Sequence, residues 1–310
     1  MTLLEQIEAG AQRLRDAQVV FGHGTTNAFD EAAWLVLWSM GLPLDTPLDG
    51  PDSEENRPVT IADSAQAATL LDARITTRQP AAYLTHEAWL QGVSFYVDER
   101  TIVPRSLIAE LIAGGSIDYW LSESTHRVLD LCTGNGSLAV IAALSYPDTV
   151  VTGADLSADA LAVARINVDR HQLQDRISLV ESDGLRAAEL QARGPFDLIL
   201  CNPPYVNADS MAALPAEYQA EPVLALAGGT DGMDFVRTLL AEALALMAPG
   251  SVLVLEIGNE RNFFEAAFPS LEAIWLETSA GADQVLVITR EALLTLKASL
   301  RGPKPGGLGE

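Results

Sequence analysis

Residues 198 to 207 read LILCNPPYVN: an apolar run suited to a buried strand, ending in a side-chain amide, two prolines and a tyrosine. Proline has no N–H, so ladder pairing does not select such an ending. The tetrapeptide Asn202-Pro203-Pro204-Tyr205 is therefore read as chemistry. Proline after Asn202 biases that residue toward extended backbone and stiffens the turn, which makes the amide and nearby carbonyls fixed acceptors. Two fixed acceptors suit a planar NH2 group, whose delocalised lone pair makes it a poor nucleophile. Gripping both N–H groups orients the lone pair and stabilises the positive charge that grows as it attacks. Tyr205 can stack on a planar amide or a base. A tight proline turn without chemistry would not demand all four residue types together. No strong general base stands nearby, and none is needed, because the nitrogen can lose its proton after charge has begun to form.

A second constellation lies upstream, where VLDL runs into CTGNGSLAVIAAL. Gly134 and Gly136 allow a tight turn and close backbone approach, and a helix starting near Ser137 turns its positive end toward a ligand. Gly134, Gly136 and Ala139 also satisfy the dinucleotide pattern, so the loop alone does not choose between cofactors. Asp155, in TGADLS, stands where a carboxylate can accept both ribose hydroxyls of a nucleoside ligand; a helix N-cap is the alternative. Asp183, in ESDGL, can accept from an adenine amino group, although Ser-Asp-Gly is also ordinary turn material. No metal is expected.

Short apolar runs position these residues. RVLDLC, TVVTGAD, RISLV, FDLILC, SVLVLEIG and DQVLVITR, most of them separated by helical stretches such as ADALAVARINVDR, predict an open, mostly parallel sheet covered by helices on both faces. Ligands in such α/β sheets bind beyond the carboxyl ends of the strands, which is where the candidate residues fall. Residues 1–90 instead carry three helix-length patterns, TLLEQIEAGAQRLRDA, FDEAAWLVLWSMG and ADSAQAATLLDARITTR, with Asn27 placed to cap the second and Gly41 and Pro43 to end it. An exposed loop rich in Pro, Asp and Gly follows the second pattern. VSFYVDERTIVPRS reads as a β-hairpin, giving a linker over 91–105, a catalytic domain over 106–292 and a flexible tail over 293–310 that includes RGPKPGGLGE.

Composition narrows the partners. Lys+Arg number 19 against Asp+Glu 42, a formal charge of −23. That surface repels phosphate backbones and favours basic partners. The apolar run AAWLVLW at 32–38 is too short for a membrane span, and no basic start with an apolar core and cleavage site is visible. With two cysteines only, Cys132 and Cys201, a reducing cytoplasm is expected. The two lie at the carboxyl ends of strands that neighbour each other in such sheets and are expected close together, as buried inert thiols. His23, isolated in sequence, is expected to be structural.

DLCTGNGS, the acid of GADLS, SDG and NPPY, in this order, resemble the class I S-adenosylmethionine-dependent methyltransferases that modify planar NH2 groups, over residues 106 to about 290. GHGTTNAFDEAAWLVLW, PAAYLTHEAWLQGVSFYVDERTIVPRS and YQAEPVLALAGGTDGMDF further resemble the protein-glutamine N5-methyltransferases. VPRS at 103–106 and GHGT at 22–25 point to the branch that acts on large-subunit ribosomal protein three (L-three), rather than the sister branch that acts on peptide-chain release factors. The resemblance implies a Rossmann-like seven-stranded sheet with an antiparallel last strand, and S-adenosyl-L-methionine as cofactor. It places Cys132, Thr133, Gly134, Asn135 and Gly136 beside the methionine part of that cofactor, with Asp130 in support, Asp155 on the ribose and Asp183 on the adenine edge. Asn202 and the Pro203 carbonyl would hold the glutamine amide, with Pro204 and Tyr205 packing nearby. Arg105 and Glu221 would shape the substrate entrance, a local ion pair being the alternative. Asn135 and Ser137 depart from the smaller or threonine residues often found in this loop. The helical domain would recognise the substrate, a basic ribosomal protein methylated free or early in assembly. Three rival readings stand beside this one. Adenine-N6 methylation of nucleic acid is opposed by the charge, while a nicotinamide-dependent oxidoreductase and a non-catalytic adenosyl-ligand sensor leave NPPY without a role.

Overall fold

The computed structural model describes residues 1–300. The chain divides into two compact units, one of Met1–Arg105 with Leu214–Pro222 and one of the remaining residues.

The first unit is helical. Helix α1 (Leu3–Asp16) starts in a capping box, Thr2 accepting from the Glu5 N–H while the Glu5 carboxylate accepts from the Thr2 N–H. Leu3, Ile7, Ala11 and Leu14 repeat at helical spacing and are all buried. Helix α2 (Ala28–Ser39) is apolar nearly all round, as a helix at the centre of a bundle must be. Asn27 caps it as expected, accepting from the Phe29 and Asp30 N–H groups. Helices α3 (Ile61–Thr77) and α4 (Ala81–Thr85) complete the bundle.

The hairpin lies earlier than the sequence suggested. Strands β1 (Ala88–Leu90) and β2 (Val93–Phe95) pair antiparallel, and Gln91 and Gly92 turn at φ +50° and +74°. Two consecutive positive φ values twist the chain as a tight two-residue hairpin requires. Beyond Phe95 the chain stays buried at Val97 and Val103 but forms no ladder. Asp98 closes a local turn instead, accepting from the Arg100 N–H and guanidinium.

The assignment of 91–105 to a separate linker and of 214–222 to the catalytic domain is also corrected: both segments belong to the helical unit. Buried ion pairs explain this. Arg74, fully buried, lies 2.7 Å from Glu31 and 3.7 Å from Glu217. Arg78 lies 3.2 Å from the same Glu217 oxygen.

The second unit carries one seven-stranded sheet. In chain order its strands are β3 (Arg127–Leu131), β4 (Val150–Asp155), β5 (Ile177–Glu181), β6 (Phe196–Cys201), β7 (Met247–Glu256), β8 (Ile274–Thr278) and β9 (Gly281–Thr289), in spatial order β5-β4-β3-β6-β7-β9-β8. The five strands from β5 to β7 run parallel and β9 runs antiparallel between β7 and β8. Six of these strands were legible in the sequence; the edge strand β8 was not, because none of its residues is fully buried and its pattern does not alternate. The core on one side of the sheet gathers Leu129, Ile199, Leu253 and Leu286 from four adjacent strands. Leu293, 1% exposed, joins that core from the helix Arg290–Leu300. Residues 293–300 are therefore helix and not tail, while 301–310 lie outside the described residues.

Candidate active site

The parallel register brings the candidate residues to one edge of the sheet. Leu131 pairs with Cys201 and with Ala154, and Asp155 pairs with Glu181, so the loops after β3, β4, β5 and β6 leave the sheet side by side. Such a row of carboxyl-end loops is where an open α/β sheet binds ligands.

The glycine loop is held from below. Cys132 turns at φ +60°, Gly134 at +55° and Gly136 at +80°. The Thr133 N–H donates to the Ala154 carbonyl (3.0 Å) and the Gly136 N–H to the Thr133 carbonyl (2.8 Å). A Cβ on Gly136 would press on Ala164, at 3.1 Å, whereas one on Gly134 would enter open space. The loop is thus packed on one side and open on the other, the form of a cradle. Helix α5 (Ile108–Ala113) precedes β3, and helix α6 (Ser137–Ser145) follows the loop directly. Asn167, fully buried, fixes the Asn135 carbonyl at 2.8 Å, and the Asn135 side chain accepts from the Ser137 N–H at 3.2 Å.

Two carboxylates frame the loop. Asp155 accepts from the Gly134 N–H and the Ser157 N–H, both at 2.9 Å. The cap of the next helix, Ala158–Arg170, is Ser157, so Asp155 is not the N-cap that its spacing also allowed. Burial raises the Asp155 carboxyl above its ordinary value despite these backbone donors. Asp130 is 1% exposed; its Oδ2 accepts from the Thr133 hydroxyl (2.5 Å) and the Ala139 N–H (3.0 Å). Desolvation pushes its carboxyl up to about 7. Its Oδ1 and the Nδ2 of Asn135 are buried without a partner among the described residues. Buried polar atoms are nearly always paired, so two unpaired ones at one loop mark where a polar ligand would complete the site.

Asp183 lies at the end of β5, exposed and paired with Arg186 at 2.8 Å. Cys132 and Cys201 are free thiols in contact, as expected, but only Cys201 is buried and Cys132 is half-buried; the hydrogen bond with Cys201, and then desolvation, raise the Cys132 thiol and favour its protonated form.

The Asn-Pro-Pro-Tyr segment leaves β6 next to this loop. Asn202 is half-buried, and no described group hydrogen-bonds its amide. Pro203 is buried. Tyr205 is wrapped by glycines: a Cβ on Gly228 would lie 2.7 Å from its Cα, and one on Gly258 would lie 2.5 Å from its ring. Tyr205 thus packs on its own domain, a position the expectation of stacking on a substrate did not foresee. Its hydroxyl lies 3.4 Å from Glu256, a residue the sequence reading passed over. Glu256 is 3% exposed at the end of β7, and its other oxygen accepts from the Ser106 hydroxyl (2.6 Å) and the Leu107 N–H (2.9 Å). A carboxylate closing an otherwise apolar strand, in VLVLEIG, was the available signal.

Arg105 and Glu221 belong to the helical unit, where they form the local ion pair held open as an alternative, with contacts at 2.6 and 2.8 Å. His23 Nε2 stands 3.4 Å from a Glu221 carboxylate oxygen, and both side chains are buried. Among the described residues no cluster of metal ligands occurs, and no helix is long and apolar enough to cross a membrane.

The profile of the family described as Methyltransferase small domain matches residues 118–219. The ribosomal protein uL3 glutamine methyltransferase of Bordetella pertussis (strain Tohama I) is 49% identical over 296 residues, covering 95% of this chain and 97% of that protein. The chain belongs to the ribosomal protein uL3 glutamine methyltransferase family. Its counterparts in Burkholderia pseudomallei (strain K96243), 49% identical with 93% and 94% covered, and Neisseria meningitidis serogroup A (strain Z2491), 44% identical with 94% of each covered, agree. Family membership favours the L-three branch over the release-factor branch. Among solved structures, the hMettl16 catalytic domain in complex with MAT2A 3'UTR hairpin 6 superposes with a TM-score of 0.51 at 14% identity, over 73% of this chain and 80% of that one, a likeness of fold.

Proposed function

We propose that this protein transfers a methyl group from S-adenosyl-L-methionine to the side-chain amide nitrogen of a glutamine in ribosomal protein uL3. The observation that carries the chemistry is the Asn202 amide, which no described group hydrogen-bonds, set on a proline-stiffened turn beside an open glycine loop. When bound, the cofactor supplies a methyl carbon made electrophilic by a sulfonium. The unpaired Asp130 Oδ1 and Asn135 Nδ2, and the open side of Gly134, fit a polar ligand of that kind. Asp155 would take the ribose hydroxyls while keeping its hold on the Gly134 N–H. Asp183 would reach the adenine edge by giving up its surface pair with Arg186.

The Asn202 side-chain carbonyl and the Pro203 carbonyl accept the two amide hydrogens of the glutamine, which turns its nitrogen lone pair toward the methyl carbon. These acceptors also stabilise the charge that grows on nitrogen during attack. Holding both reactants in attack geometry supplies a further share, on the order of 7–11 kcal/mol for well-oriented partners. The Glu256 contacts fix Tyr205 and the residues leading into α5, and so hold the Asn-Pro-Pro-Tyr turn in place.

The acidic surface suits a basic protein substrate and opposes a substrate already surrounded by ribosomal RNA, so methylation precedes or accompanies early assembly, in the cytoplasm. The test is methyl transfer from labelled S-adenosyl-L-methionine to purified uL3 and to mature large subunits, with the site read by mass spectrometry. The expected result is a methylated glutamine on free uL3 and little on mature subunits. No transfer to free uL3 overturns the reading, and equal transfer to both overturns the timing.

A further inference from the structure

A groove of ≈ 340 Å³ opens in the helical unit, lined among others by Phe29, Trp34, Leu37, Leu44, Leu48 and Trp89. It plays no part in the chemistry above. The chain leaves these side chains partly uncovered: Trp89 is 46% exposed, and Phe29, Leu44 and Leu48 are half-buried. Trp34 is 7% exposed, and its indole N–H has no acceptor among the described residues. An unpaired buried donor in the wall of an apolar groove is a site that an incoming carbonyl would complete.

The surroundings are acidic. Asp30 lines the groove, and Asp45, Asp49 and Asp52 are exposed on the loop that carries Leu44 and Leu48, a loop without a Lys or Arg between residues 42 and 56. Apolar walls with a negative rim select a cationic segment that brings one large apolar side chain.

We propose that this groove docks the basic ribosomal protein substrate, seating an apolar or aromatic side chain flanked by Lys or Arg. The proposal rests on the function proposed above, because that function supplies a basic protein as the occupant. It assigns the helical unit a binding surface remote in sequence from Asn202, so a defect there changes substrate capture and leaves the methyl-transfer step intact.

The test measures binding of purified uL3 to the full-length chain by titration calorimetry, alongside steady-state methyl transfer. The variants are Trp89→Ala, whose indole N–H donates to the nearby Glu87 carboxylate, Leu48→Glu, and the combined Asp45→Asn, Asp49→Asn, Asp52→Asn. Thermal melting and S-adenosyl-L-methionine affinity verify that each variant folds. The expected result for Trp89→Ala and Leu48→Glu is about a tenfold rise in both Kd and KM for uL3 with kcat unchanged, one hot-spot contact being worth that much. The triple variant should lose most of the salt dependence of binding. Unchanged Kd in all three overturns the groove while the proposed function stands. Wild-type binding that the variants weaken, without any methyl transfer, overturns the function and leaves the groove. A dimer of the wild-type chain that Trp89→Ala dissociates, with uL3 affinity unmoved, would give the face to a second copy and overturn the proposal.

Discussion

Two regions of this molecule bury charged groups, and they treat them in opposite ways. In the helical unit Glu31, Arg74, Glu217 and Glu221 are all 3% exposed or less, and each carboxylate has a cation or a backbone N–H to answer it. At the carboxyl ends of β3 and β6, Asp130 Oδ1 and Asn135 Nδ2 are buried without a partner among the described residues, and no described group hydrogen-bonds the half-buried Asn202 amide. Burying a charge is tolerable when it is paired, and leaving a polar group unpaired costs stability. Unpaired polar atoms gathered beside an open glycine loop are therefore where a ligand would complete the structure. The helical unit's charges are architecture, and the sheet's open groups are a site.

The largest effect should come from breaking the architecture. Arg74→Ala leaves Glu31 buried without a cation, with only the Thr25 hydroxyl to answer it among the described residues, and removes one of the two cations near Glu217, which should cost about 3–5 kcal/mol. Urea unfolding monitored by circular dichroism measures the loss, and turnover per folded molecule should stay near wild type. A loss below about 1 kcal/mol, the range of exposed pairs, would mean that the cluster does not hold residues 214–222.

Asn202→Ala tests the other side. Because no bond within the fold depends on this amide, stability should change by less than about 1 kcal/mol, while turnover should fall about 10²–10³-fold or more, as when one preorganised polar contact to a reacting group is removed. Titration calorimetry should show S-adenosyl-L-methionine affinity nearly unchanged. Near-normal turnover would end the assignment of Asn202 to the reaction and with it the contrast drawn here.

The same contrast decides what could be read from the sequence. The strands β3 to β7 and β9 announce themselves because strands buried on both faces are continuous apolar runs, and the site residues follow because chemistry in this architecture sits just after the parallel ones. Asn27 was legible as a cap because capping is local. The helical unit's pairs were not legible: Arg74 and Glu217 are 143 residues apart, and nothing in either neighbourhood encodes the other. Glu256 was missed for the same reason, since its partners Ser106 and Tyr205 come from distant segments. The hairpin slipped because alternation marks burial at Phe95, Val97 and Val103 without saying whether a partner strand lies alongside.

The smallest effect is the most specific, because the two regions should titrate in opposite senses. Burial alone would raise Glu221, but His23 and Arg105 outweigh it and hold its carboxyl at about 2. A carboxyl depressed in the folded state contributes stability that is complete above its ordinary 4.5 and is lost as pH falls toward 2. Asp130, raised to about 7, does the reverse: its contribution is complete below 3.8 and is lost as pH rises toward 7. Urea midpoints measured from pH 3 to 8 should show Glu221→Gln flattening the acid limb and Asp130→Asn flattening the limb between pH 4 and 7. Because S-adenosyl-L-methionine would occupy the polar space next to Asp130, saturating cofactor should shift the second limb and leave the first in place. A cofactor effect on the Glu221 limb instead would show that the paired charges of the helical unit answer to the site.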